Sequence, residues 1–256
     1  MPSQQAILMG IPWRPILVSA ADFDGTSDYM LRGGTLTGAS DSKSGILSVW
    51  IRLDGGDGAT LRILGSSVSA GTAADRWRSS RLSTNKFILV GNNAAGTVIL
   101  QMLSTTSYTA GATWLHLLTS WNLAATVGHL YVNGVEDQAA GGTFTDDTLD
   151  YSVGDWGVGG DSNAGSKMNG CMTELYFAPG QFLDFSDAAN RAKFRTTTGV
   201  PMYLGADGSL PTGTAPLVYQ RVAAGAAVTT FATNIGTGGD FSITGTLDLS
   251  STSPSN

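Results

Sequence analysis

The run Thr113-Trp-Leu-His-Leu-Leu-Thr-Ser-Trp121, followed after one short hairpin by Gly128-His-Leu-Tyr-Val-Asn-Gly-Val135, constrains the fold more than any other stretch of the chain. Both segments alternate their side chains at the two-residue period of a half-buried strand. Asn133-Gly134 is the strongest short hairpin signal, because the tight turns that match strand twist need positive φ, which Asn and Gly tolerate. Two paired antiparallel strands follow.

Composition points the same way. Thirty-four glycines and eight prolines punctuate runs of Val, Ile, Leu, Thr and aromatic residues, the spacing of a sandwich rather than of alternating strands and helices. A chain of 256 residues can bury a substantial core, and the reading is one all-β domain. Only 13% of residues are charged, against about 25% in an ordinary soluble protein, so much of the surface must be Gly, Ser, Thr and Asn. Such a surface is either hydrated and uncharged or covered by neighbouring subunits, and composition leaves both open. The net charge of −6 argues against a phosphate-tracking surface, so nucleic acid is not an expected partner. The local exception, Arg76-Trp-Arg-Ser-Ser-Arg81, reads as the solvent-facing side of an edge strand blunted by charge in preference to a binding patch, because no second basic cluster supports the patch.

The first residues, Met1-Pro-Ser-Gln-Gln, lack the basic region of an export signal, and Pro12, Arg14 and Pro15 interrupt the apolar stretch that follows. No segment approaches a membrane-spanning length, so no membrane insertion is expected. The single cysteine, Cys171, suggests a reducing site of synthesis and, in alternation with Asn169 and Thr173, reads as a small packing residue. Residues 1–20, with Ile11-Pro-Trp-Arg-Pro-Ile-Leu-Val18, form an extended arm stiffened by prolines. It either packs along its own domain or docks Trp13, Ile16 and Leu17 on a neighbouring copy. The charge-poor surface and this arm together predict a homo-oligomer or a regular component of a larger assembly.

Beyond residue 180, Ser186-Asp-Ala-Ala-Asn-Arg-Ala-Lys-Phe-Arg195 has a capping residue, an alanine-rich body and basic residues in its last turn, and predicts one short helix. Leu217-Val-Tyr219 and Phe241-Ser-Ile-Thr-Gly-Thr-Leu-Asp-Leu249 read as strands. Residues 181–256 would hold too few strands to stand alone, so they are expected to close the same sandwich, residues 21–256 forming a single domain.

The strand carrying Trp114, with the Leu-Tyr-Val-Asn-Gly turn after it, resembles the centre of a laminin-G-like or concanavalin-A-like jelly roll. Phe23-Asp-Gly-Thr-Ser-Asp-Tyr-Met, Ile46-Leu-Ser-Val-Trp-Ile-Arg-Leu53, Val153-Gly-Asp-Trp-Gly-Val-Gly-Gly160 and Met168-Asn-Gly-Cys-Met-Thr-Glu-Leu-Tyr-Phe177 are similar to the family's other elements, in the same order. The Asn-Arg-Ala-Lys-Phe helix, the Leu-Gly-Ala-Asp-Gly-Ser loop and the Gly-Gly-Asp-Phe-Ser-Ile-Thr-Gly tail resemble laminin-G-like proteins of tailed-bacteriophage and prophage structural regions. The resemblance implies an antiparallel β-sandwich that binds sugars or other surfaces.

The same sandwich carries glucanases, which need paired carboxylates on one strand. This chain has two glutamates, Glu136 after a hairpin and Glu174 on another strand, and no Glu-x-Asp-x-x-Glu run. His116 and His129 fall within strand alternation, where they read as packing or surface residues rather than catalytic bases. The expectation is a protein that is not an enzyme. The resemblance also implies a calcium ion at the loop rim without assigning its ligands; Asp146, Asp147, Asp155 and Asp161-Ser-Asn163 are candidate donors, but acidic turn residues are expected in any Gly-rich sandwich and the turn reading is the favoured one. No other cofactor is expected. Sugar binding asks for an aromatic platform beside groups that bond hydroxyls. Trp156, with Asp155, Asp161 and Asn163, is the first candidate, and Trp77 and Tyr108 come next. Trp50, Trp114 and Trp121 read as packing residues. Together these point to a virion structural protein of a tailed phage, a decoration, fibre or tail-associated subunit, assembled with copies of itself and other virion proteins and binding host-surface glycan. The alternative is a polysaccharide-degrading enzyme on the same scaffold.

Overall fold

The computed structural model describes residues 13–67, 75–152, 154–161, 163 and 165–255. In chain order the strands are β1 (Val18–Ser19), β2 (Ala21–Asp24), β3 (Tyr29–Arg32), β4 (Ser44–Leu53), β5 (Leu61–Ser67) and β6 (Asp75–Arg81). They continue with β7 (Phe87–Asn92), β8 (Val98–Leu103), β9 (Leu115–Asn122), β10 (Val127–Val132), β11 (Val135–Glu136) and β12 (Thr143–Phe144). The last are β13 (Asp155–Val158), β14 (Asn169–Pro179), β15 (Val218–Gln220), β16 (Val222–Ala223), β17 (Ser242–Thr244) and β18 (Asp248–Leu249). All the pairings are antiparallel. One sheet runs β11-β10-β9-β4-β14-β2-β18 with β15 also on β14, and the other runs β12-β8-β7-β6-β5-β13-β3-β17. The chain is therefore an all-β antiparallel sandwich.

The opening strands pair as their alternation requires, β10 lying against β9 with Val132 opposite Leu117. Asn133 and Gly134 then take φ of 54° and 81°, the left-handed pair that a two-residue hairpin needs, and return the chain into β11. The predicted helix shrinks to one turn, α1 (Ala188–Arg191), capped by the Asp187 side chain accepting from Ala189 N. It is the α-helix of the described residues, and none of their helices is long and apolar enough to cross a membrane.

Between the sheets lies an aromatic cluster. The Trp77 ring is 4.4 Å from Phe177 and about 6 Å from both Trp121 (5.9 Å) and Trp156 (6.1 Å), and all four side chains are buried. Leu47, Val49, Ile51 and Leu53 of β4 face this core, while Ile46 faces away into a second apolar cluster with Leu118, Tyr131, Tyr176, Phe185, Phe194, Met202, Leu204 and Tyr219. Segments after β14 thus form a third layer over the outer face of the first sheet. Trp13 packs, partly buried, at the margin of this layer, and the arm is fixed to it by Ile16 N–H to Pro201 O at 3.0 Å and Tyr203 N–H to Arg14 O at 2.8 Å. Ile16 is half-buried there and Leu17 remains exposed; residues 1–12 lie outside the described residues.

The segment expected as one strand from Phe241 to Leu249 is two. Gly245, at φ 84°, breaks it where Thr246 N–H donates to Asp28 Oδ1 at 2.8 Å, and a Cβ on Gly245 would strike that carboxylate and the Ser27 carbonyl. β17 consequently pairs with β3 in one sheet and β18 with β2 in the other. A second correction concerns β6, which is an interior strand between β5 and β7 and not an edge.

The core leaves no room at Gly45, where a Cβ would lie 2.1 Å from the Trp121 ring. Gly45→Ala is expected to destabilise the fold by about 1–3 kcal/mol through overpacking, and Trp77→Ala by about 3–5 kcal/mol through loss of the aromatic keystone. Urea unfolding followed by tryptophan fluorescence checks both; an unchanged midpoint for Gly45→Ala would contradict the packing described.

Candidate functional site

Alternation on β6 decides where its side chains go. Trp77 points inward to the aromatic core, so Arg76 and Arg78 emerge on the opposite face. Cross-strand register sets Arg78 opposite Val90 and Val90 opposite Gln101, while Asn92 of β7 pairs with Val98 after a bulge. These residues, with Asp75 and Gly96 of the β7–β8 hairpin, line a cavity of about 400 Å³ on the outer face of the second sheet. Its volume falls within the range of small-molecule sites, about 300–1,000 Å³.

The cavity's polar groups are held in place from behind. Asp75 accepts from Arg78 Nη1 at 2.9 Å and from Arg62 Nη2 at 3.0 Å, and Asn92 Nδ2 donates to the Asp75 carbonyl at 3.0 Å. Arg76 Nε lies 3.2 Å from Asp150 Oδ2, and its guanidinium fills the space beside Gly96. Burial, with Asp41 nearby, pushes the Asp150 carboxyl above the usual range. Asn92 Oδ1 is buried without a hydrogen-bond partner. Arg81 plays a different part from Arg76 and Arg78: it is fully buried and binds Asp57 and the backbone carbonyls of Gly55, Gly56 and Tyr108, locking two loops together.

The candidates expected from sequence lie elsewhere. Trp156 and Trp77 are buried in the core, so neither offers a ring face to a sugar. β13 sits between β5 and β3, and Trp156 takes the inward parity of that interior strand. Tyr108 is half-buried, its ring stacked on Phe87 at 4.9 Å and its hydroxyl donating to Asp137 Oδ2 at 2.7 Å. Asp155 accepts from Gly34 N–H, and Asp161 accepts from the Asn163 and Gly165 N–H groups in a local turn. Asp155 and Asp161 stand at opposite ends of β13, and the intended platform between them faces away.

The four calcium candidates do not converge. Asp146 pairs with Lys43 at 2.7 Å, and Asp147 binds Asn93 Nδ2 and Thr148 N–H, so both act as turn residues. Among the described residues the group with mutual spacing for a cation is Asp22, Asp54 and Cys171. Cys171 is buried, burial pushes its thiol up to about 12, and Asp54 is already engaged by Arg52 Nε at 2.7 Å; the packing role expected for this cysteine fits that setting.

His116 and Glu174 are buried on the outer face of the first sheet, under the third layer. His116 stacks on Trp50 with ring centroids 4.6 Å apart, and its Nε2 is 2.8 Å from Ser48 Oγ. Trp50 is accordingly a packing residue, as is Trp121, whereas Trp114 is half-exposed with its indole N–H on Thr252. His129 lies 3.1 Å from Asp184 and 3.7 Å from Glu136. Glu174 occupies the bulge of β14 at φ 49° and accepts from the Tyr219 hydroxyl at 2.9 Å.

Residues 24–180 match the model of the concanavalin A-like lectin/glucanases superfamily, and the chain belongs to that family. No curated protein sequence matches it. Among solved structures it is similar to a candidate carbohydrate-binding protein from Bacteroides ovatus, with a TM-score of 0.62, 13% identity, and coverage of 93% of this chain but 60% of that one. It also aligns with a heptameric pentraxin of Limulus polyphemus (TM-score 0.47, 11% identity, 66% of this chain and 79% of that one). A third is the NanB sialidase of Streptococcus pneumoniae (TM-score 0.47, 13% identity, 67% of this chain and 27% of that one). At 13% identity the likeness to the Bacteroides protein is one of fold alone.

Two buried groups give a signed pH prediction. Burial, with Arg195 nearby, lowers His116 to about 3, so the unfolded chain takes up its proton first and stability is lost as pH falls below about 6.5. Burial raises Glu174 to about 7 despite Arg221 and the Tyr219 hydroxyl, so the folded chain holds a proton that the unfolded chain releases, and stability is lost as pH rises from 4.5 to 7. Between about pH 4.5 and 6.5 the two oppose each other. Glu174→Gln removes one side: relative to wild type, its stability should gain on the order of 3 kcal/mol between pH 4.5 and 7. Denaturation midpoints across that range check it, and parallel curves for the two proteins would refute it.

Proposed function

We propose that this protein is a non-enzymatic carbohydrate-binding subunit of a tailed-phage particle, a decoration, fibre or tail-associated component that takes a host-surface glycan in the cavity over β6, β7 and β8. The observation that carries the binding reading is that cavity: amide and guanidinium donors in cross-strand register, a fixed carboxylate, and Val90 and Val98 as apolar floor. Membership of a lectin and glucanase superfamily supports it. The phage setting draws on the sequence likeness of Asn190–Phe194, Leu204–Ser209 and Gly238–Gly245 to phage structural proteins. Its partners would be copies of itself and other virion proteins, and the exposed Leu17 beside the packed Trp13 is one place for such contact.

The enzyme alternative needs two carboxyl groups flanking a scissile bond. Asp75 is the carboxylate lining the cavity and is tied to two arginines, while Glu174 is buried beside Tyr219 and Glu136 lies on the β10–β11 hairpin. Among the described residues, no pair of carboxyl groups lines the cavity.

On a glycan array, wild type should bind and Arg78→Ala should bind at least about tenfold more weakly, since a hydrogen bond to a charged group contributes about 1.5–3 kcal/mol. Trp156→Ala should instead lower the thermal midpoint sharply. Release of reducing ends from capsule or lipopolysaccharide by the purified protein would overturn the non-enzymatic part, and unaltered binding by a folded Arg78→Ala would move the site.

A further inference from the structure

The cavity's donor chemistry narrows its ligand. Each lining guanidinium spends one edge on a carboxylate, Arg78 through Nη1 on Asp75 and Arg76 through Nε beside Asp150. A guanidinium carries five N–H donors in a planar fork, so both retain donors beyond those contacts. Arg78 stays 32% exposed at the cavity wall, and Gln101 adds an amide next to it across Val90. The carboxylate of the lining, Asp75, is already taken by Arg62 and Arg78. Donors therefore outnumber free acceptors, and the shape of the free fork is that of a planar, two-oxygen acceptor.

The sign and size of the ligand's charge follow from what stands behind the wall. Arg62, Arg76 and Arg78 face Asp75 and Asp150, with Asp41 next to Asp150, so the local charge is close to balanced. A balanced site does not concentrate polyanions or hold a phosphate dianion through net attraction; an anion it takes is held by directed hydrogen bonds, for which the free fork of Arg78 has the geometry. Val90 and Val98 supply apolar surface for the C–H face of a sugar ring beside that anion.

We infer that the cavity recognises an acidic sugar, a uronate or other carboxylate-bearing residue, with Arg78 forking the carboxylate and Gln101 bonding a ring hydroxyl. This rests on the reading that the cavity is the glycan site and adds the class of sugar. Arg78 is the specificity residue because its fork, not its charge alone, does the reading.

The test is an array of carboxylate-bearing oligosaccharides printed beside the same oligosaccharides after chemical reduction of their carboxyls to alcohols, with sulfated neutral-sugar oligosaccharides as a third set. It is probed with wild type, Arg78→Lys and Gln101→Ala. Expected is binding confined to the carboxylate set, weakened at least tenfold by carboxyl reduction, and weakened comparably by Arg78→Lys, which keeps the charge and removes the fork. Thermal midpoints matching wild type establish that the variants are folded. Equal binding of reduced and unreduced sugars, or equal binding of the sulfated set, overturns the acidic-sugar inference and leaves glycan binding at the cavity standing. Carboxylate-dependent binding that neither variant alters overturns the cavity as the site, and binding to none of the three sets overturns the inference outright.

Discussion

The packing of Trp77 against Phe177 is the contact on which the rest of the architecture depends. Phe177 belongs to β14, at the middle of the first sheet, and Trp77 to β6, in the interior of the second, so this 4.4 Å approach joins the sheets at their centres. Trp121 and Trp156 complete the cluster from β9 and β13. Because strand side chains alternate, driving Trp77 inward drives its two neighbours outward. The aromatic that anchors the core is thus the reason two arginines stand on an open sheet face. Core and cavity are two sides of one strand.

The two sheets differ in what covers them. The outer face of the first carries Ile46, Leu118, Tyr131 and Tyr176, too apolar to leave in water, and the chain's own segments after β14 bury it. That cover also buries His116 and Glu174, which explains why titratable groups on this face are displaced so far from their ordinary values and are unavailable for chemistry. Over β6, β7 and β8 the second sheet presents arginine, asparagine and glutamine, which tolerate solvent and can bind a ligand. The open face is therefore the one whose side chains remain free to meet a ligand.

Much of the fold was legible because it is written in local patterns. Asn133-Gly134 specified its turn chemistry, the alternation of β4 and β9 specified their inward faces, and the Ala-rich run after Asp187 specified the helix, shortened to one turn because no long apolar stripe holds more of it. The site was not legible, for a reason of the same kind. Trp156 lies among Asp and Gly residues that look like a loop rim, and a four-residue strand containing a glycine is too short to fix which parity faces in. The cavity joins residues of three strands, and its existence depends on the register that sets Arg78, Val90 and Gln101 side by side. Register comes from pairing, which a single sequence does not display. The signal that could have been followed was Arg-Trp-Arg: an aromatic flanked by two cations on an interior strand puts both cations on the opposite face.

The division of the tail between the sheets bears on how the protein is made. β18 pairs Asp248 with Asp22, and β17 pairs Thr244 with Tyr29, so strands from near the start of the chain wait for partners from near its end. Contacts so remote in sequence close large loops, and that entropy must be met before the pairing returns any energy. On the ribosome, β2 and β3 remain incompletely paired until residues 242–249 have emerged. Both sheets therefore stay open at β2 and β3 until β17 and β18 are available, whatever the state of the strands between them.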